Sequence, residues 1–308
     1  MTAYVVMGNA KYYDFIALTV AQIRRVAPSA RVLVYDWGDD RRRARFACPT
    51  TGVEVVDWTG RIADLGPLAA SLPPARQVEM AIAYNARFRR TWRQRLRKAV
   101  LKRWPGSPLA RPLIKAGLAF ENMLLQKVPC MEDASRRIGA ERMIFLDADA
   151  IPVRPIEDAY DAAPFDVAVT LVDRPNWQVN RCAVINSGVL LFGANPAARA
   201  AFFTAWRAAI DSCDEWLREQ TALVRFLAAQ APDLFTPAAA APLDLGEETL
   251  RLRALPCATY NNTDRDTALD TGARVLHLAN TAHNLATVRD LLVRLRTAPD
   301  GEDGEGGE

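Results

Sequence analysis

The run Met143-Ile144-Phe145-Leu146 constrains this chain most: four consecutive apolar residues suit a strand buried on both faces, and the run ends in Asp147-Ala148-Asp149. Such strands belong to open α/β sheets, which bind ligands beyond the carboxyl ends of their strands. Residues two apart on a strand share a face, so Asp147 and Asp149 can offer two oxygens to one hard cation that also holds substrate phosphates. The spacing alone says little. Asp264-Arg265-Asp266 repeats it inside a polar, turn-forming stretch with no strand before it, where a solvated loop is the better reading. For Asp147 and Asp149 the competing reading is a helix cap or surface loop.

Around that strand the pattern alternates. Ala3 to Met7 reads as a strand broken at Gly8-Asn9, followed by a helix from Asp14 to Val26 and a strand from Arg31 to Tyr35 that ends at Asp36. Val53 to Val56 is a third strand, ending at Asp57; Asp166 to Val172 and Ala183 to Phe192 follow the metal strand. Helices are expected over Pro196 to Ile210 and Glu215 to Ala229. A proline- and alanine-rich connection near Thr236 to Pro242 then leads to a strand from Arg274 to Leu278 carrying His277 and a helix from Leu285 to Arg296. The class that follows is α/β, with a central mixed, mostly parallel sheet flanked by helices. One domain is expected over 1–297, with a basic helical insertion at about 76–126 and a disordered acidic tail at 298–308. No internal repeat, P-loop or dinucleotide-binding glycine pattern is present.

Half of the 308 residues are apolar, enough for a sizeable core. Without the five acids of the tail the formal charge moves from +3 to +8, so the folded body suits anionic partners. The five cysteines, at 48, 130, 182, 213 and 257, form no C-x-x-C pair and read as reduced thiols. With no signal-peptide pattern and no long apolar span, the expectation is a cytoplasmic protein, soluble or peripheral on the inner membrane face.

Between Arg87 and Arg103 lie nine Lys or Arg, and no acid occurs between Glu79 and Glu121. Phe88, Trp92, Leu96, Val100 and Trp104 recur every four residues, forming one stripe on a helix whose other faces are basic; Pro105 ends it. Such a helix over 87–104 suits an anionic membrane surface. The alternative is a helix that packs its stripe on the domain and leaves its charges in water. Nucleic acid is not an expected partner.

Taken in order, the motifs resemble the glycogenin and bacterial lipopolysaccharide galactosyltransferase-like family, retaining glycosyltransferases of the GT-A fold. Gly8-Asn9-Ala10-Lys11-Tyr12 is similar to its nucleotide-contacting loop, and Asp36 to the aspartate ending its second strand. Leu146-Asp147-Ala148-Asp149 matches its L-D-x-D signature, and Lys127 stands where a donor-contacting basic residue precedes that strand. Asn186-Ser187-Gly188-Val189 resembles its sugar-contacting strand. Glu219-Gln220 resembles its acidic-Gln pair, with glutamate where aspartate is more usual. Pro256 and Tyr260-Asn261 resemble its Leu-Pro and Tyr-Asn turn. His277 stands where the family has its third metal ligand, but the Gly and Lys-Pro-Trp that usually follow are missing, with His283 as a substitute.

The resemblance implies a nucleotide-sugar donor, UDP-sugar first, and a glycan or lipid-linked saccharide acceptor. Nucleotide contacts fall to Gly8, Asn9, Tyr12, Asp36 and Ala148, and sugar contacts to Lys127, Asn186, Ser187 and Gly188. Mn²⁺ or Mg²⁺ would be held by Asp147, Asp149 and His277, the imidazole favouring manganese. Gln220 would lie beneath the anomeric carbon, with Glu219 on sugar hydroxyls. The bland readings are a core histidine, a glycine for close strand packing and a solvated helix face. An inverting enzyme would need a carboxylate base, for which Asp214 or Glu215 is available. Two rivals remain. Haloacid-dehalogenase-like phosphatases also follow a strand with D-x-D, but there it opens the domain; the other is a non-catalytic nucleotide- or carbohydrate-binding module.

Overall fold

The computed structural model describes residues 1–38, 52–62, 64–86, 91–172, 184–236, 239–264, 268, 272–278, 289–290 and 292–294. The chain opens with β1 (Thr2–Gly8), α1 (Tyr13–Val26), β2 (Arg31–Asp36) and β3 (Val53–Asp57). It continues through α2 (Thr59–Ile62), α3 (Gly66–Ser71), α4 (Pro74–Ala86), α5 (Trp92–Arg103), α6 (Arg111–Leu125) and α7 (Lys127–Ile138). Next come β4 (Arg142–Asp147), β5 (Ala150–Pro152), α8 (Ala159–Ala162), β6 (Val167–Leu171) and β7 (Ile185–Phe192). α9 (Pro196–Asp211), α10 (Arg218–Gln230), β8 (Ala240–Asp244), β9 (Thr249–Pro256), α11 (Cys257–Tyr260) and β10 (Val275–His277) complete the order. No described helix is long and apolar enough to cross a membrane.

Eight strands form one sheet in the order β3-β2-β1-β4-β7-β6-β9-β8, and β10 pairs with β5 in a separate ribbon. β3, β2, β1 and β4 run parallel, β7 opposes both its neighbours, and β9 returns parallel to β6 with β8 as an antiparallel edge. From β1 the chain winds outward through β2 and β3, then crosses back to place β4 on β1's other side. That reversal opens a crevice at the carboxyl ends of β1 and β4. The register sets Met7 opposite Asp147 and Gly8 opposite Asp36, so both acids stand on its rim.

Alternate residues of the central strands feed two cores. Val5, Met7, Leu33 and Phe145 meet α7, α9 and α10 on one face, while Val6, Val32, Ile144 and Leu146 meet α1 on the other. This two-sided burial explains the unbroken apolar runs of β1, β2 and β4.

Several elements differ from the sequence expectation. The connection expected at 236–242 gives way to β8 and β9: Leu250, Leu252 and Ala254 turn inward while Thr249 and Arg251 face out. The helix expected from Glu215 begins at Arg218, because Leu217 takes the left-handed conformation (φ 52°, ψ 49°) and interrupts the helical path. The basic helix begins at Trp92, where Gln94 Oε1 accepts from the Thr91 N–H at 3.1 Å. Its four-spaced stripe is divided. Leu101, which lies off that row, and Val100 seat the helix against Ala81 and Ala110, whereas Trp92, Leu96 and Trp104 are exposed. Phe88, the rest of 87–90, the acidic tail and most of the final helix lie outside the described residues.

The helical segment expected as an insertion is tied into the body by α6. Phe120 stacks on Trp216 with ring centroids 5.5 Å apart and meets Tyr84 at 5.3 Å. Beside it the buried Glu121 caps α10: Oε1 accepts from the Leu217 N–H (2.9 Å) and Oε2 from the Arg218 N–H (3.2 Å). Burial pushes the Glu121 carboxyl up to about 7, with Glu219 adding to the rise and the two backbone bonds opposing it.

Between the unfolded value near 4.5 and about 7, the folded chain therefore keeps a proton that the unfolded chain releases, and Glu121's contribution to stability falls as pH rises. Urea unfolding at pH 5, 6 and 7 should show the wild-type advantage over Glu121→Gln shrinking by up to roughly 1 kcal/mol per pH unit. An advantage that grows with pH would contradict this burial-dominated titration.

Candidate active site

Three elements deliver the three side chains that could hold a metal ion. β4 ends at Asp147, and the turn into β5 carries Asp149. β10 pairs antiparallel with β5, setting His277 opposite Ala150, while the Leu278 N–H donates to the Asp149 carbonyl at 3.0 Å. His277 Nε2 consequently lies 3.5 Å from Asp149 Oδ1 and 3.9 Å from Asp147 Oδ2, and one ligand atom from each residue falls within 4.8 Å of the others.

The imidazole is oriented from behind. Asn261 Nδ2 donates to Thr170 Oγ1 (2.7 Å) and to the Asn186 carbonyl (2.9 Å), which turns its Oδ1 toward His277 Nδ1 at 2.8 Å. Nδ1–H then donates to Asn261, and Nε2 faces the two acids. Burial alone would lower the His277 pKa, but the hydrogen bond and charge of Asp149, with Asp147, raise it. Burial would likewise raise Asp149, yet His277 holds its carboxyl below the ordinary range. Both shifts favour positive charge between the imidazole and the two acids, and two carboxylates with one imidazole fit Mn²⁺ or Mg²⁺.

Lys127, at the start of α7, is buried beside this cluster. Its Nζ donates to Asp147 Oδ2 (3.0 Å) and Ser187 Oγ (3.2 Å), and lies 5.7 Å from the Phe145 ring centroid. The Ser187 hydroxyl lies 3.2 Å from Glu219 Oε2 and 3.3 Å from Gln220 Oε1; Gln220 Oε1 also accepts from the Ser187 N–H at 3.2 Å. Glu219 is buried beneath Ser187, its backbone carbonyl accepting from Trp206 Nε1 (3.1 Å). Burial drives its carboxyl up to about 7, against the pull of Lys127, and Oε1 has no hydrogen-bond partner. Glu219 is therefore a neighbour of Lys127 and Ser187 rather than part of a solvated face, and Gln220 alone of the pair is partly exposed.

Gly188 makes room for the histidine. A Cβ there would lie 2.2 Å from His277 Cε1 and 2.6 Å from Nδ1, so the space above this glycine belongs to the ring. Asn186 Oδ1 accepts from the Gly188 N–H at 3.1 Å.

On the β1 side, Asn9 Oδ1 accepts from the Lys11 N–H (3.0 Å) and starts the turn that carries the half-buried Tyr12. Gly8 keeps this turn against the metal strand: its Cβ would stand 3.1 Å from that of Ala148, whose carbonyl accepts from Thr19 Oγ1 at 3.1 Å. Asp36 is fully buried, and its Oδ1 accepts from Tyr13 OH (2.7 Å) and the Gly38 N–H (2.8 Å), so it ties the chain just past β2 to α1. Asp266 and His283 lie outside the described residues.

No protein-family model matches the sequence, and no curated protein matches it. Among solved structures, the apo form of the glycosyltransferase GlyE from Streptococcus pneumoniae TIGR4 aligns with a TM-score of 0.50 at 10% identity, covering 96% of this chain and 60% of that one. The fold is GT-A. Mouse xyloside xylosyltransferase 1, apo form, aligns at TM-score 0.48 and 12% identity over 92% of this chain and 100% of that one. The galactosyltransferase LgtC with donor and acceptor sugar analogs aligns at 0.46 and 11% over 97% and 98%. At these identities the likeness is one of fold. In this GT-A sheet, Glu121, Thr170 and Trp206 support the site without any motif announcing them; Glu121's signal was an acid among the apolar residues of α6.

Two outcomes test the metal cluster. Gly188→Ala should displace His277 and weaken Mn²⁺ binding by ~10–100-fold in calorimetry, with circular dichroism unchanged. Because a cation must displace the His277 proton, Mn²⁺ affinity should fall about tenfold per pH unit once the pH is below the raised His277 pKa. A pH-independent affinity would remove His277 from the site.

Proposed function

We propose that this chain is a glycosyltransferase that moves a sugar from a nucleoside-diphosphate donor, UDP-sugar first, to a glycan or lipid-linked saccharide acceptor. The observation that carries the reading is the convergence of Asp147, Asp149 and His277 with Lys127, Ser187 and Gln220 at the β1–β4 crevice of a GT-A sheet. Asp147, Asp149 and His277 hold Mn²⁺ or Mg²⁺, which when bound supplies Lewis-acid stabilisation of the charge growing on the departing diphosphate.

The chain's own groups do the positioning. Asn261 fixes the His277 tautomer, and Lys127 draws Asp147 and Ser187 together. Ser187 ties down the Gln220 carbonyl and so sets the plane of the amide facing the sugar. Tyr12 and the Gly8-Asn9 turn form the nucleotide side, and Asn186 the sugar side. Asp214 pairs with Arg76 at 2.9 Å and Glu215 with Arg225, and the retaining course rests on the family resemblance. The phosphatase reading has no observation in its favour.

Calorimetry with UDP-, GDP- and dTDP-sugars in the presence of Mn²⁺ should give metal-dependent binding, tightest for a UDP-sugar and at least ~100-fold weaker in Asp149→Ala. Proton NMR of the product anomer then reads the stereochemical course. The proposal fails if no nucleotide sugar binds in a metal-dependent way, or if Asp149→Ala binds like wild type.

A further inference from the structure

α5 is the outer helix of the insertion, and only Val100 and Leu101 of its twelve residues are buried. It carries Arg93, Arg95, Arg97, Lys98, Lys102 and Arg103 and no acid. The whole acid-free interval between Glu79 and Glu121 holds eleven Lys or Arg. Within this cationic field stand four large apolar side chains open to solvent: Trp92 (70% exposed), Leu96 (55%), Trp104 (58%) and Leu109 (71%). The other exposed large hydrophobics among the described residues are Met1, Val172 and Val293, and none of them lies in this segment.

Helix geometry groups the first two, with Trp104 at the C-cap of α5 and Leu109 beyond it. At ~100° per residue, Leu96 lies ~40° round from Trp92 and Arg103 falls between them, Arg95 and Lys102 flank the pair on the side away from Val100, and Leu101 lies nearly opposite. The result is a convex face with indole and leucyl groups bracketed by long cationic side chains. Two tryptophans and a leucine left in water are costly, whereas at a lipid headgroup boundary the rings bury their apolar bodies and Arg and Lys reach the phosphates. A convex face whose charges are all positive complements a flat anionic surface, and each cation near such a surface adds to the attraction.

We infer that the outer face of α5, with Trp104 and Leu109 beyond it, docks on an anionic lipid bilayer. This goes beyond the sugar-transfer reading and does not depend on it, because vesicle binding is measured without donor or acceptor. Through α6, whose Glu121 caps α10, the docked helix is mechanically continuous with the helix that carries Gln220.

The test uses the full chain and sedimentation with vesicles of phosphatidylcholine and phosphatidylglycerol in equal parts, against pure phosphatidylcholine. Wild type should bind the anionic vesicles, release them at high salt, ignore the neutral ones, and shift its tryptophan emission to the blue. A triple variant, Trp92→Ala with Leu96→Ala and Trp104→Ala, keeps every charge and removes only exposed groups. It should bind at least ~10-fold more weakly with an unchanged circular dichroism spectrum. Three results overturn the inference: wild type fails to bind anionic vesicles; the triple variant binds as wild type does, so that adsorption is electrostatic only; or the wild type is a dimer that the triple variant dissolves and vesicles do not compete. Preference for RNA over anionic vesicles in direct competition also overturns it.

Discussion

A buried ammonium lies among carboxylates at the centre of this molecule. Burial alone would pull the Lys127 pKa down, but Asp147, Glu219 and Asp149 outweigh it and keep the charge on. Acids cannot gather in a low-dielectric site without such a partner, because each uncompensated charge costs several kcal/mol of order. Lys127 therefore does more than hold one oxygen of Asp147. It lets the end of β4, the Ser187 segment of β7 and the first turn of α10 meet at one point. The site is assembled around this cation, with Phe145 behind it and the β1–β4 crevice in front.

Much of that arrangement was legible in the chain. The unbroken apolar residues of β1, β2 and β4 mark strands covered on both sides, and the strand, helix and strand order at the start fixes the parallel pairs. Asp147 and Asp149 were readable because a buried strand precedes them, a context that Asp264 lacks. His277 was readable as a histidine on a late strand, but its orientation was not. That depends on Asn261 and Thr170, which come from distant parts of the sequence and meet the ring only after β6, β7 and β10 have assembled.

What escaped the sequence escaped for physical reasons. Proline in β8 and short polar interruptions masked an edge pairing, although Leu250, Leu252 and Ala254 alternate as a half-buried strand should. The basic helix carried a convincing stripe at four-residue spacing, but packing selected Leu101, off that row, as its anchor and freed Trp92 and Leu96. The surroundings of Glu219 and Gly188 were not readable either: tertiary contacts bury the first behind Ser187 and fill the space above the second with an imidazole.

The β5–β10 ribbon has a consequence for how this chain can vary. Only three residue pairs join the strands, with Asn262 bracing β10 from its other side. Side chains alternate along a strand, so deleting or inserting a single residue next to this ribbon would turn His277 to the opposite face and leave Leu276 beside Asp149. Among descendants of this chain, length changes should therefore collect well away from β5 and β10. Substitutions there can be absorbed one side chain at a time, whereas a one-residue frame slip replaces the imidazole beside the two acids with a hydrocarbon.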